Sequence, residues 1–113
     1  MLTLQALKDY GADTAEGLGR CMNNETFYLR MVGMLASDTH TAQLTAALDA
    51  GDWKTAFEAA HALKGVLANL ALTPALTPIT ALTELLRPQQ PVECAALRSE
   101  AEAQMAKLMA LLR

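Results

Sequence analysis

Three residues of one helix-forming stretch could do chemistry together: His61, Lys64 and Gly65. A neutral imidazole is a good nucleophile near neutral pH, because its unperturbed pKa is about 6.5. On a helix, Lys64 lies one turn away, so its ammonium can reach the oxygens of a phosphoryl group on His61 and offset their charge. A glycine inside a helix costs about 1 kcal/mol against alanine. The absent side chain at Gly65 opens space for a second protein to reach the imidazole.

The stretch from Asp52 to Leu70 predicts one long helix, because it follows Gly51 and contains no proline or internal stop. On a helical wheel at about 100° per residue, the apolar residues lie opposite His61. We expect His61 near the centre of a solvent-facing surface. The predicted core stripe consists of Ala56, Ala59, Leu63, Val66 and Leu70, flanked by Trp53, Ala60 and Leu67.

The side of this helix that carries His61 supplies the candidate residues for docking a partner: Lys54, Phe57, Glu58, Ala68 and Asn69. Phe57 has two interpretations. It belongs to an exposed docking patch, or the helix is rotated enough to tuck its ring inward. Lys54, Glu58 and Asn69 could contact a partner, although polar residues on a helix surface are most often simply solvated.

Residues that commonly start or stop helices predict a series of helices along the chain. They are expected over about 3–10 before Gly11, after Asp13, after Asn24, from about Thr39 to Gly51, from Pro74 or Pro78 to Arg87, and from about Val92 to the C-terminus. Gly17 and Gly19 weaken the second helix. The third is expected to present an apolar face of Phe27, Met31, Met34 and Leu35, and the last a stripe of Leu97, Ala101, Met105, Leu108 and Leu112.

The composition indicates an all-α protein. The chain has 113 residues, which fits a single domain over 1–113, and it is 52% apolar but only 4% aromatic. Alanine, leucine and methionine supply most of the apolar residues and favour helix, and short loops favour antiparallel neighbours. We therefore expect an antiparallel up-and-down four-helix bundle with additional short N-terminal helices.

Several functional classes are disfavoured. The net charge of −3 offers no basic field for nucleic acid, and no apolar run reaches the ~18 residues that cross a bilayer. The N-terminus lacks the apolar core of a signal peptide, and two isolated cysteines, Cys21 and Cys94, fit a reducing cytoplasm. His40 has no evident partner residue. The six methionines do not cluster with histidine, so no metal site is predicted.

The run His61-Ala62-Leu63-Lys64-Gly65 resembles the His-x-x-Lys-Gly signature of histidine-containing phosphotransfer (HPt) domains of two-component phosphorelays. The resemblance extends over nearly the whole chain, through residues 12–20, 27–31, 50–53 and 69–72. Two departures stand out. Val66 and Leu67 replace the usual small residues after the glycine, which indicates repacking of the core. Ala71 stands where a glycine is common, so the exit of the helix is a place where this chain could differ.

This resemblance implies a four-helix kernel, phosphorylation of His61 on Nε2, support of the phosphoryl group by Lys64 and access for a partner at Gly65. The implied partners are receiver domains of response regulators and of a hybrid histidine kinase, which bring the acidic pocket, the Mg²⁺ and the acceptor aspartate. The module itself would be a monomeric phosphocarrier with no cofactor, no bound nucleotide or metal and no autonomous kinase activity.

Two alternatives remain open at this point. The chain could be an excised phosphoacceptor domain of a chemotaxis-type histidine kinase, or a non-catalytic helical adaptor that regulates a partner by binding. A start at methionine and an end at Arg113 without a catalytic domain favour a free-standing carrier. An adaptor could lose His61 or Lys64 without penalty, so the presence of both favours a carrier.

Overall fold

The computed structural model describes residues 1–113 and contains seven α-helices, one 3₁₀ turn and no strand. None of the helices is both long enough and apolar enough to cross a membrane. The elements are α1 (Leu4–Tyr10), α2 (Thr14–Arg20), α3 (Glu25–Gly33), a 3₁₀ turn (Met34–Ser37), α4 (His40–Ala50), α5 (Trp53–Asn69), α6 (Thr73–Leu86) and α7 (Ala95–Leu111).

Capping side chains explain where several helices begin. Thr3, Asp13, Asn24 and Asp52 precede α1, α2, α3 and α5, and each accepts a hydrogen bond from the backbone N–H three residues on. Such a bond satisfies one of the donors that a helix N-terminus leaves unpaired. Gly51 ends α4 in the left-handed region, with φ of 68°. These local signals confirm the predicted turns.

Helices α4 to α7 form the predicted up-and-down bundle. Helix α5 packs between α4 and α6, and α6 packs on α7. Polar contacts join α4 to α7: Arg98 Nη2 lies 2.7 Å from Asp49 Oδ1, and the Thr45 hydroxyl donates to Glu102 at 3.1 Å. Because the pairs run 45 with 102 and 49 with 98, these two helices are antiparallel. Their core is mainly leucine and alanine.

Helices α1 to α3 form an N-terminal layer that is hydrogen-bonded to the bundle at the exit of α5. The Tyr28 hydroxyl donates to the Leu70 carbonyl at 2.8 Å, and the Asp13 N–H donates to the Ala71 carbonyl at 2.9 Å. Tyr28 is fully buried, and burial raises its pKa to about 12. The neutral phenol is therefore the form that holds this contact throughout the physiological range.

Gly17 is required by packing. A Cβ atom placed there would lie 2.5 Å from two carbons of the Tyr28 ring, a distance that real side chains do not tolerate. At Gly19, two residues on, an added Cβ atom would meet nothing within 4 Å. Glycine at position 17 costs conformational entropy on folding, but its lack of a side chain lets the Tyr28 ring approach the backbone of α2.

The predicted apolar face of α3 is partly wrong: Leu35 is buried as expected and Met31 packs partly against the core, but Phe27 and Met34 do not belong to this face. The fully or nearly fully buried residues are Tyr28, Val32 and Leu35, whereas Phe27 is 43% exposed and Met34 60% exposed. The reason is tertiary: the hydroxyl of Tyr28 has a carbonyl partner inside the protein and its ring has a place against Gly17. Those contacts rotate the helix and turn Phe27 and Met34 outward.

At three helix boundaries the structure decides or corrects what the sequence predicts. Helix α6 begins at Thr73, with Pro74 in its first turn, and Pro78 lies inside it. Helix α7 begins at Ala95, about three residues later than predicted; the Glu93 carboxylate accepts a hydrogen bond from the Ala95 N–H at 2.7 Å. The exit of α5 keeps a left-handed residue: Ala71 has φ of 55°, the conformation that glycine adopts more readily.

Gly17→Ala should lower the free energy of unfolding by about 1–3 kcal/mol, because the added methyl forces the Tyr28 ring to move. The matched control is Gly19→Ala in the same helix, which should raise stability by about 0.5–1 kcal/mol through helix propensity alone. Urea denaturation followed by circular dichroism measures both. Equal effects of the two substitutions would contradict a packing role for Gly17.

Candidate functional site

Helix α5 holds His61 outward because its other side is buried by small and branched residues. Fully or nearly fully buried positions are Ala56, Ala59, Ala60, Leu63 and Leu67. The predicted stripe is confirmed in its centre and rotated slightly at its edge: Leu67 is fully buried, and Val66, which was expected in the core, is half-buried. With this side fixed against α4 and α6, His61 is left exposed on the opposite side.

The residues on the His61 side form the α5 face, which comprises Lys54, Phe57, Glu58, His61, Lys64, Gly65, Ala68 and Asn69. Lys54, Glu58, Gly65 and Asn69 are exposed, whereas Phe57, Lys64 and Ala68 are half-buried. The structure thus brings the sequence-predicted site residues together on one surface. Asn69 lies eight residues beyond His61, or about 12 Å along the helix axis.

The Phe57 ring lies next to His61. The two ring centroids are 5.6 Å apart with an interplanar angle of 66°, an edge-to-face arrangement. Phe57 also packs against the hydrophobic core. The two interpretations of this residue therefore combine, because one part of the ring is tucked in and another part contacts the imidazole.

Two residues at the end of α6 border the site and were not found from the sequence. The Arg87 guanidinium lies 5.2 Å from the Phe57 ring centroid, and Arg87 Nε is 2.6 Å from Glu84 Oε2. The hydrogen bond from Arg87 is the main cause that lowers the pKa of the Glu84 carboxyl, and the positive charges of Arg87 and Lys64 lower it further. Glu84 is therefore an anion beside the predicted site. No motif marks these residues, since only the packing of α6 on α5 brings them there.

The space over Gly65 is open. A Cβ atom at this position would meet nothing within 4 Å, in contrast to Gly17. No contact within the chain therefore explains why a glycine occupies the middle of this helix, where alanine would be more stable.

An open apolar groove of about 270 Å³ continues the α5 face toward the C-terminal end of the helix. Its walls are Met31, Met34, Leu35, Asp38, Val66, Asn69 and Leu70. A second groove, which shares Met31, Asn69 and Leu70, extends to the exposed ring of Phe27. This surface was not predicted from the sequence, because Phe27 and Met34 were assigned to the apolar face of α3.

The second histidine differs from His61. Its Nδ1 lies 3.0 Å from both carboxylate oxygens of Asp38, so the expectation that His40 has no partner is wrong. His40 is the first residue of α4, and its backbone N–H also donates to Asp38 at 2.8 Å. The chain contains no group of three or more metal-ligating side chains.

Comparison with known proteins identifies the family. The family model of the Hpt domain matches residues 34–113, which include α4 to α7 and the residues His61, Lys64 and Gly65. The chain therefore belongs to the Hpt domain family and has a histidine phosphotransfer role in two-component systems. No curated protein and no solved structure matches it. The whole N-terminal layer, α1 to α3, lies outside the matched range, and so do residues 12–20 and 27–31 of the resemblance expected from the sequence.

Proposed function

We propose that this protein is a phosphocarrier in which His61 accepts a phosphoryl group from the aspartate of one receiver domain and passes it to the aspartate of another. The observation that carries the proposal is an exposed imidazole in the middle of α5, with open space beside it over Gly65. A side chain placed in this way is accessible to an incoming active site without any unfolding. The proposed partners are receiver domains of response regulators and of a hybrid histidine kinase.

The proposed reaction is a transfer between two side chains. The lone pair of the His61 Nε2 attacks the phosphorus of an aspartyl phosphate, the N–P bond forms, and the P–O bond to the aspartate breaks. The aspartate leaves as a carboxylate. In the second half, the carboxylate of the next receiver attacks the same phosphorus, the N–P bond breaks, and the imidazole recovers its lone pair. The receiver supplies the acidic pocket and Mg²⁺, so the carrier requires no kinase activity.

Lys64 is proposed to support the phosphoryl group. It lies one turn from His61 on the same face, which is within reach for a long side chain. The residue is half-buried, and its ammonium would offset the charge of the transferred oxygens.

The docking surface is proposed to extend over the α5 face and into the apolar groove beside it. Lys54, Phe57 and Glu58 would contact the partner on one side of His61, and Ala68 and Asn69 on the other. The groove and the exposed side chains of Phe27 and Met34 add apolar area that a partner could cover. We propose that the whole of 1–113 acts as one unit, since hydrogen bonds join the N-terminal layer to the bundle, and that it is a monomer, as the family resemblance implies.

His61→Gln should abolish transfer of label from a ³²P-phosphorylated receiver domain to this protein, because the amide is not a nucleophile under these conditions. His40→Gln removes the only other imidazole and should leave labelling intact. Circular dichroism checks that both variants remain folded. Label that persists in His61→Gln would overturn the proposal, and a chain that binds receivers but never takes label would be an adaptor.

Lys64→Ala should slow transfer about tenfold. The loss of a preorganised, desolvated donor commonly costs about 10²-fold or more, and Lys64 is flexible and partly screened by solvent. Lys107→Ala is the matched control, since it removes the same charge from an exposed position of α7 outside the α5 face, and it should leave the rate unchanged. Single-turnover quench kinetics measure both rates. Equal rates for Lys64→Ala and the wild type would show that Lys64 does not support the phosphoryl group.

Gly65→Leu should block transfer while it raises the free energy of unfolding by up to about 0.8 kcal/mol, because a Cβ atom at this position meets nothing within 4 Å and leucine favours helix. Ala106→Leu adds comparable bulk at an exposed position of α7 and should leave transfer unchanged. Transfer assays and urea denaturation test the pair. If Gly65→Leu destabilises the protein, the glycine serves packing rather than access.

A further inference from the structure

A row of four side chains crosses from α6 to the imidazole: Glu84, Arg87, Phe57 and His61. Glu84 binds Arg87 through two hydrogen bonds, at 2.6 and 3.2 Å. The Arg87 guanidinium lies 5.2 Å from the centroid of the Phe57 ring. The Phe57 ring meets the imidazole of His61 edge to face at 5.6 Å. Each member of the row thus contacts the next.

These contacts restrict a side chain that would otherwise be mobile. An exposed histidine in a helix has few χ1 choices, but its χ2 torsion is broad, so the ring turns easily. Edge-to-face contact with an aromatic ring favours one arrangement of the imidazole. Phe57 can act in this way because its own ring packs partly against the core. The Arg87 guanidinium over the Phe57 ring further restricts the orientation of that ring.

We propose that Phe57 is a positioning residue that holds the His61 imidazole in the orientation needed for phosphoryl transfer, and that Arg87, held by Glu84, acts through Phe57. The inference rests on the proposed function of His61. A positioned nucleophile reaches its near-attack geometry in a larger fraction of encounters, so the effect belongs to the transfer step within the docked complex. It need not change how tightly the partner docks.

The first test compares Phe57→Leu with Phe57→Tyr. Leucine retains apolar volume without the ring, whereas tyrosine retains the ring. With increasing concentrations of phosphorylated receiver, Phe57→Leu should lower the saturating transfer rate about two- to tenfold, whereas any change in the half-saturating concentration reports the separate contact of Phe57 with the partner. Phe57→Tyr should restore the wild-type rate. A raised half-saturating concentration at an unchanged saturating rate would assign Phe57 to docking alone and overturn the inference.

The second test measures the imidazole directly in the unphosphorylated protein. The ¹³C relaxation of the His61 ring should report a more mobile ring in Phe57→Leu than in the wild type and in Phe57→Tyr. An equally mobile ring in all three proteins would overturn the inference. This readout does not depend on transfer, so it separates a failure of positioning from a failure of the proposed phosphocarrier role, which His61→Gln reports.

The role of Arg87 is tested by a double-mutant cycle. If Arg87 acts through Phe57, then Arg87→Gln slows transfer on its own but has no further effect in a Phe57→Leu background. Arg87→Lys retains a cation and should lie between Arg87→Gln and the wild type. Effects of Arg87→Gln and Phe57→Leu that multiply independently would show that Arg87 acts elsewhere and would overturn this part of the inference.

Discussion

The rotational setting of α5 is the constraint on which the rest of the structure depends. Three alanines, Ala56, Ala59 and Ala60, let the neighbouring helices approach α5 closely, and Leu63 and Leu67 fill the space between them. A rotation by one residue, about 100°, would move this stripe out of the core and bring His61 toward a packed wall. Burial of one side of the helix therefore determines what the other side presents.

Helix α6 has two roles that derive from this setting. It covers the buried stripe of α5, and its C-terminal end places Arg87 and Glu84 beside the α5 face. The anion of Glu84 lies near Lys64 and His61, while Arg87 balances it at close range. The environment of the imidazole is therefore set by two helices, although the residues of the signature all lie on one.

Much of this architecture follows from local sequence signals, and the errors have a common physical origin. The caps at Asp13, Asn24 and Asp52 and the stop at Gly51 are read from short-range chemistry, which the rest of the chain does not override. The face of α3 was misplaced because burial of a tyrosine depends on a distant partner for its hydroxyl. The positions of Glu84 and Arg87 at the site were likewise inaccessible, since they depend on how α6 packs on α5.

The hydrogen bonds at the exit of α5 have a consequence for where this domain ends. The last carbonyls of a helix lack partners within it, and two carbonyls just past α5, those of Leu70 and Ala71, are paired by Tyr28 and Asp13 from the N-terminal layer. The family match begins at residue 34, after both donors. A truncation at that boundary would leave the helix that carries His61 without its C-terminal partners. The structural unit is thus larger than the segment that the family model matches.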